Sequence, residues 1–291
     1  MVMNKKSNTS CLIQSVNISQ WNPIILNWAN AENWDMNEND AACFFEVDPE
    51  AFFIAYRGIQ PIASVSMVNY SDSYSFGGNF IIRPESRNHV CAGKIWQWSM
   101  NYAGHRTIGC DGNWDKTQLY EKRGFDIHYR NVRLSGVIKQ KITPPAGAVL
   151  ITPANIDEVI KYDAECNGIY RGALLANWFW GEERYGFCTY SRTGISGVIG
   201  LRRSQNGYRI GPFLADNAEA VEILALAAFA QIPDGLPVSA DVPETDNNGF
   251  LQLANEYGLK GLFHTYRMYK GNLIPKGQLD KVKAIASLEL G

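Results

Sequence analysis

The sequence predicts an α/β chain of two tandem domains, each a mixed β-sheet flanked by helices. Three observations predict it. Runs rich in β-branched and aromatic residues alternate with stretches of helical spacing. The segment "KITPPAGA" at 141–148 joins tandem prolines to Gly and Ala, the composition of a stiff linker, and divides the chain almost evenly. The two halves also repeat each other. At one constant displacement Asn113 falls on Asn247, Leu119 on Leu253, Gly124 on Gly258 and Arg133 on Arg267. Upstream, "IIRP" at 81–84 answers "RIGP" at 209–212, and "FLADNAEAVEILALAAFAQ" takes the place of "CAGKIWQWSMNYA". A shared order of matches argues for two copies of one unit. The expected division is a disordered lead at 1–10, a first domain at 11–140, the linker, and a second domain at 149–291.

The first copy reads element by element. "CLIQSVN" is an opening strand. "SQWNPIILNWANAENW" has helical spacing, with Ser19 or Asn17 as its cap. "AFFIAYR", "QPIASVSMVNY" and "SYSFGGNFIIRP" are consecutive strands, turning at Arg57-Gly58 and Ser71-Asp72. A helix from about Cys91 to Ala103 follows. "RTIGCDG" is a short strand, "DKTQLYEKRG" a helix that stops on Gly124, and "FDIHYRNVRLSG" a last strand. The order is β-α-β-β-β-α-β-α-β.

Composition narrows the function. Lys and Arg total 27 against 29 acids, and no basic run marks a nucleic-acid partner. No apolar run approaches the roughly 20 residues that span a bilayer. "MVMNKKSNTS" is polar and carries no apolar signal segment. The cysteines at 11, 43, 91, 110, 166 and 188 are scattered, without CxxC or zinc spacing. Free thiols in a reducing cytoplasm, and no metal, are the expectation.

Two motifs carry a resemblance. "RPESRNHVCAGKIW" is similar to the R/Q-x-x-G-x-G/A loop of the GNAT N-acetyltransferase superfamily, with Arg87, Val90 and Ala92 on its key positions. "NWDKTQLYEKRGF" resembles that family's N-x-x-A-x-x-x-Y-x-x-x-G-F, with Asn113, Tyr120, Gly124 and Phe125 matched and Lys116 replacing alanine. More specifically, "IGCDG…LYEKRGFDIHYRNVRLSG" and "YRIGPFLADN…DVPETDNNGFLQLANEYGL…TYRMYKG" resemble the YitH-type tandem GNAT proteins, over most of the chain.

The resemblance implies splayed sheets and transfer of an acetyl group from acetyl-coenzyme A, or another acyl-coenzyme A, to an amine in a ternary complex. It places Ile81, Ile82, Arg87, Asn88, His89, Val90, Cys91, Ala92, Gly93, Lys94 and Asn113 at the cofactor. Free N–H groups and the helix dipole favour a pyrophosphate at such a helix start. Val90 stands where glycine is usual, and its branched Cβ predicts weaker binding. The segment from Asn79 to Ile82 would meet the thioester, with Gly77-Gly78 permitting a bulge. Tyr120 is the implied general acid toward the leaving thiolate; its ordinary pKa near 10 keeps it protonated at neutral pH. The general base stays open among Asp111, Glu46, Asp48, Glu85 and a water chain. His89, His105, His128 and His264 are isolated, and Cys91 and Cys110 read as packing residues.

The second copy differs. Ala254 stands where the first has Tyr120. Its loop "PFLADNAEA" has no glycine and carries Asp216 and Glu219, which suit a helix start but repel a pyrophosphate. Asp216 or Asn217 reads as a cap. This half is expected neither to catalyse nor to bind coenzyme A. Asp111, Asp241, Glu244 and Arg267 are acceptor-site candidates. Asp163, Arg171, Asp241, Glu244 and Arg267 together read first as a domain-stabilising network, or with some of them lining an acceptor pocket between the domains, and Trp178 and Trp180 as core or interface. The expected acceptor is a small-molecule amine, on a monomer or homodimer, with no nucleic acid and no membrane. The alternative is a non-catalytic, degenerate GNAT protein that binds an acyl-coenzyme A or a metabolite.

Overall fold

The computed structural model describes residues 11–291 apart from Asn88 and Asn247. The 1–10 lead, Asn88 of the loop and the repeat partner Asn247 therefore lie outside the described residues. The first half runs β1 (Cys11–Ser15), α1 (Ile18–Ala31), α2 (Glu38–Val47), β2 (Phe52–Arg57), β3 (Gln60–Asn69), β4 (Tyr74–Ile82), α3 (Val90–Ala103), β5 (Thr107–Asn113), α4 (Thr117–Glu121) and β6 (Asp126–Val137). The second runs β7 (Val149–Leu150), α5 (Ile156–Asn167), α6 (Gly172–Leu175), β8 (Arg184–Ser191), β9 (Gly194–Arg203), β10 (Tyr208–Ala215), α7 (Ala218–Phe229), β11 (Pro237–Pro243), α8 (Gly249–Glu256), β12 (Lys260–Lys270) and β13 (Val282–Ala284).

Caps explain several boundaries. Asn17 closes a capping box with Gln20 at the start of α1. Asn217 caps α7, while Asp216 instead accepts from the Tyr162 hydroxyl and pairs with Lys281. Helix α2 has no counterpart among the elements read from sequence. Its short stretch "ENDAACFFEV" starts with an Asn37 capping box and buries Ala41, Cys43 and Phe44. It also buries Asp40, which accepts from Arg184 at 2.7 Å and Arg202 at 3.0 Å of the second half.

All strands join one sheet, in the order β1-β2-β3-β4-β5-β12-β6-β11-β10-β9-β8-β7, with β13 beside β10. The last long strand of each half has changed sides. β12 pairs with β5, and β6 pairs with β11. Two register pairs clamp this exchange: Arg267 faces Asp111, and Arg133 faces Asp241. A core cluster with Trp21, Phe44, Phe52, Trp178, Leu214 and Leu290 runs through both halves. The Trp178 indole also donates to the Gly211 carbonyl at 2.8 Å. Asp163 and Arg171 form a buried bidentate pair, as a stabilising network requires.

Each half opens a gap in its sheet. β4 and β5 run parallel only over Tyr74–Gly77 and Thr107–Cys110, then part. β10 and β11 likewise pair only from Tyr208 to Ile210. The second gap is filled by the chain's own tail. β13 pairs Ala284 with Phe213 and Val282 with Leu214, and the Ile285 N–H reaches the Asp241 carbonyl at 3.0 Å. The tail then crosses to the first half. At Gly78 a Cβ would lie 2.0 Å from the Glu289 carbonyl oxygen, so only glycine fits there.

One expectation is corrected: the cysteines are not all free. β1 lies along the first turn of α3, Cys11 and Cys91 come to 5.7 Å between Cα atoms, and they are joined as a disulfide. Cys43, Cys110, Cys166 and Cys188 are free and buried. Among the described residues no helix is long and apolar enough to cross a membrane, and no cluster of metal-ligating side chains occurs.

Candidate active site

The parting of β4 from β5 encloses a cavity of about 420 Å³. Asn79 to Ile82 form one wall, Cys110 to Asn113 the other, and Trp96 and Tyr120 the floor. The β4 wall is bulged. Ser64 faces Ile81 and Ser66 faces Gly78, so Val65 stands opposite two residues, Asn79 and Phe80. Asn79 sits at φ 50°, a region asparagine enters more readily than most residues. Two bonds fix it: the Ser64 hydroxyl donates to its carbonyl at 2.8 Å, and its amide donates to Ser66 Oγ at 3.0 Å. Its Oδ1 is buried without a partner. Beyond Gly77 the edge of β4 that had faced β5 no longer has that strand as a neighbour. An extended ligand with amide groups can add there as a strand would.

Tyr120 packs edge-on against Trp96 at 5.6 Å and Phe125 at 5.6 Å. Arg123 lies 4.2 Å over the Trp96 ring. Gly112 makes room for this arrangement, since a Cβ there would meet Met268 at 2.4 Å and the Tyr120 ring at 3.1 Å. Burial raises the Tyr120 pKa above the ordinary phenol range; Cys110 adds to the rise and Arg123 opposes it. The hydroxyl therefore holds its proton at any pH near neutral.

The loop before α3 is less open than its sequence suggests. His89 is the N-cap, and its Nδ1 accepts from the Cys91 N–H at 3.3 Å. Arg87 pairs with Glu32 at 3.2 Å on the surface. Val90 is 51% exposed, Gly93 and Lys94 are exposed, and Ala92 is half-buried. Ile81 is buried in the core, and Ile82 lines the cavity with Arg87 and Asn113.

The four acceptor-site candidates do not form one site. Asp111 lines the cavity, but Arg267 holds it through two bonds of 2.9 and 2.7 Å, and Asn131 donates to it at 2.9 Å. Asp241 is buried and receives Arg133 through two bonds of 2.7 Å and Arg209 through one of 2.7 Å. Burial works to raise its pKa, yet Arg133 and Arg209 outweigh that and hold it below the usual carboxylate range. Glu244 pairs with Arg130 near the surface. Of the other possible bases, Asp48 accepts from Tyr102 and the Asn69 N–H, and Glu85 pairs with Arg83. Neither these nor Glu46 line the cavity.

Two segments that sequence reasoning passed over complete the site. The α1–α2 connection brings Trp34 to the wall between this cavity and a second one of about 740 Å³. Both cavities also touch Glu32, Asn113 and Asp115. Arg133 and Arg209 donate to the Trp34 carbonyl at 3.1 and 3.3 Å. Asp35 accepts the Asn206 backbone and side-chain amides at 2.9 and 3.0 Å. Asn33 at φ 60° and Asp35 at φ 56° flank the tryptophan, so both halves hold this turn in a left-handed backbone. The Asn/Asp-rich "NAENWDMNEND" was the available signal for such a turn. The second cavity is walled by Trp114, Tyr208, Leu262, Phe263 and His264. The other segment is the tail, where Leu288 and Glu289 close the first cavity. No pattern in "SLELG" announces that role.

The domain family described as acetyltransferase (GNAT) domain matches residues 159–282. Holothin acyltransferase of Pseudoalteromonas sp. (strain SANK 73390) is 40% identical over 274 residues, covering 94% of this chain and 92% of that protein. Among solved structures, one from Pyrococcus horikoshii assigned to the acetyltransferases superposes with a TM-score of 0.81 at 18% identity, over 100% of this chain and 99% of that one. A tandem GNAT protein from the clavulanic acid biosynthesis pathway gives a TM-score of 0.61 at 11% identity, over 89% of this chain and 98% of that one.

Proposed function

This chain belongs to the GNAT acyltransferase family, and we propose that it moves an acetyl group from acetyl-coenzyme A to the amine of a small molecule, in the manner of the YitH-type tandem proteins. The observation that carries this is the cavity opened by the parting of β4 and β5, with a bulged strand edge on one side and Tyr120 on its floor.

The pantetheine arm would lie along the free edge of β4, where N–H and C=O groups await a strand-like partner. A backbone N–H near the Asn79 bulge would meet the thioester oxygen as charge develops on it. The amine nitrogen attacks the thioester carbon and sheds one proton toward solvent, the carbon–sulfur bond breaks, and Tyr120 gives its proton to the departing thiolate and regains one from solvent. The pyrophosphate would sit at the start of α3. There it must draw Arg87 from Glu32 and compete with His89 for the Cys91 N–H.

The acceptor would enter by the larger cavity and pass Trp34 to reach the thioester. Trp34, Trp114, Tyr208, Phe263 and His264 lie on its walls, its exposed charges are Glu32 and Asp115, and Arg133 is already bound to Asp241. Such a cleft favours a flat, neutral or weakly basic amine over a phosphorylated one. The second half would bind no coenzyme A, because β13 fills its gap and buried Ala254 stands in for Tyr120. A cytoplasmic monomer or homodimer completes the reading.

The relative named for holothin makes holothin the first acceptor to test, beside aniline and 2-naphthylamine. Purified chain, acetyl-coenzyme A and each amine are incubated, and acetylated product and free coenzyme A are quantified by mass spectrometry. Equal release of both supports the proposal. Bound cofactor without transfer to any amine favours a non-catalytic binding protein.

A further inference from the structure

The tail that fills the second half's gap also reaches into the first half's site. Four carboxylates line the first cavity among the described residues: Glu32, Asp111, Asp115 and Glu289. Three are committed. Glu32 pairs with Arg87 at the surface, Asp115 with Lys116 at 2.5 Å, and Asp111 has both oxygens engaged by Arg267 and Asn131. Glu289 is 2% exposed, and neither of its side-chain oxygens has a hydrogen-bond partner. Buried acceptors left unpaired are rare and costly, and each calls for a reason.

Its surroundings supply one. The Glu289 backbone presses on Gly78, next to the Asn79 bulge where the thioester would lie. Its Oε1 stands 3.7 Å from Arg209 Nη1, too far for a hydrogen bond. That same nitrogen donates to the carbonyl of Trp34, on the wall between the two cavities. Glu289 and Trp34 thus line the same cavity, which an amine arriving past Trp34 would enter to meet the acyl carbon. Resting on the acyltransferase reading above, we propose that Glu289 is the proton acceptor for the attacking amine, delivered to the first half's site by the second half's tail. As the nitrogen–carbon bond forms and the carbon–sulfur bond breaks, one amine proton passes to Glu289, directly or through one water, and the thiolate takes a proton from Tyr120; Glu289 then returns its proton to solvent and solvent reprotonates Tyr120. The second half, its own gap closed, would then act in catalysis through ten residues of tail rather than through a cofactor site.

Glu289→Gln and Glu289→Asp are compared with wild type using the same amines. The charges around Glu289 are Arg209 of β10, Arg202 of β9 and Asp111 of β5, with Asp241 of β11 sharing Arg209. All four are kept in both variants. The expected result is a fall in kcat of about 100-fold or more for Glu289→Gln, with partial recovery in Glu289→Asp and KM for the amine little changed in both. Acetyl-coenzyme A affinity should stay within about twofold, and Tm within a few degrees, because Arg209 retains Asp241. Undiminished turnover in Glu289→Gln overturns the proposal. So does a parallel loss of turnover, cofactor affinity and Tm, which marks a structural carboxylate. A wild-type chain that binds acetyl-coenzyme A and acetylates no amine overturns the enzyme reading itself, and this role with it.

Discussion

Arg133 and Arg267 stand at matching places in the two halves, and each closes a bidentate ion pair on an aspartate that the other half supplies. Arg133 grips Asp241 of β11, and Arg267 grips Asp111 of β5. Each pair is also a register pair between strands. The exchange of β6 and β12 is therefore specified twice, by charge and by backbone pairing. A slip of one residue would point each guanidinium to the opposite face of the sheet and leave a buried aspartate unpaired.

Asp241→Asn removes the shared partner of Arg133 and Arg209. Leaving buried guanidiniums uncompensated costs about 3–5 kcal/mol. Urea unfolding should show that loss. A change below about 1 kcal/mol would mean that the exchange is held by backbone pairing alone.

Acid should act through the same groups. Arg133 and Arg209 hold Asp241 below the ordinary carboxylate range, and Arg202, Arg184 and Arg209 do so for Asp40, in both cases against burial. A carboxylate depressed in the folded state stabilises above its unfolded pKa and loses that contribution as pH falls through the folded value. Stability should hold from neutrality to about pH 4 and decline below it. In Asp241→Asn the decline should be shallower, as read by Tm across pH.

Tyr120→Phe should lower kcat by more than tenfold, with acetyl-coenzyme A affinity little changed. Because burial raises the Tyr120 pKa, the wild type should lose no activity through this group up to about pH 10. Undiminished turnover in the phenylalanine variant would remove the tyrosine from the mechanism.

Arg87→Ala should weaken acetyl-coenzyme A by about tenfold, the worth of one charge-assisted bond to phosphate. Glu32→Gln should do the reverse, since it frees Arg87 from its partner. Titration of both variants at low and moderate salt decides this. Equal affinity in all three chains would place the pyrophosphate elsewhere.

Much of this was legible along the chain. Period-2 runs bounded by glycine and proline marked the strands, and the repeat marked two like units. That Tyr120 and the Asn79 segment come together on one cavity was readable because local motifs carry them. The exchange of β6 and β12 was not, since strand order depends on pairings far apart in sequence. Helix α2 escaped because ten residues led by "END" give too little apolar periodicity. Trp34 and Glu289 were invisible for a related reason. Their roles come from Arg133, Arg209 and Gly78, which stand far from them in the chain. The Cys11–Cys91 bond likewise joins residues 80 positions apart, and scattered spacing gave no hint of it.

The central claim is that one half of this tandem chain holds the acyl carrier while the other half, its gap filled by β13, does not. Isothermal titration of acetyl-coenzyme A into the purified protein at moderate salt tests it most directly, with dephospho-coenzyme A for comparison. One site per chain is the predicted result. Two sites would contradict the closed second gap, and no binding at millimolar cofactor would contradict the acyltransferase reading as a whole.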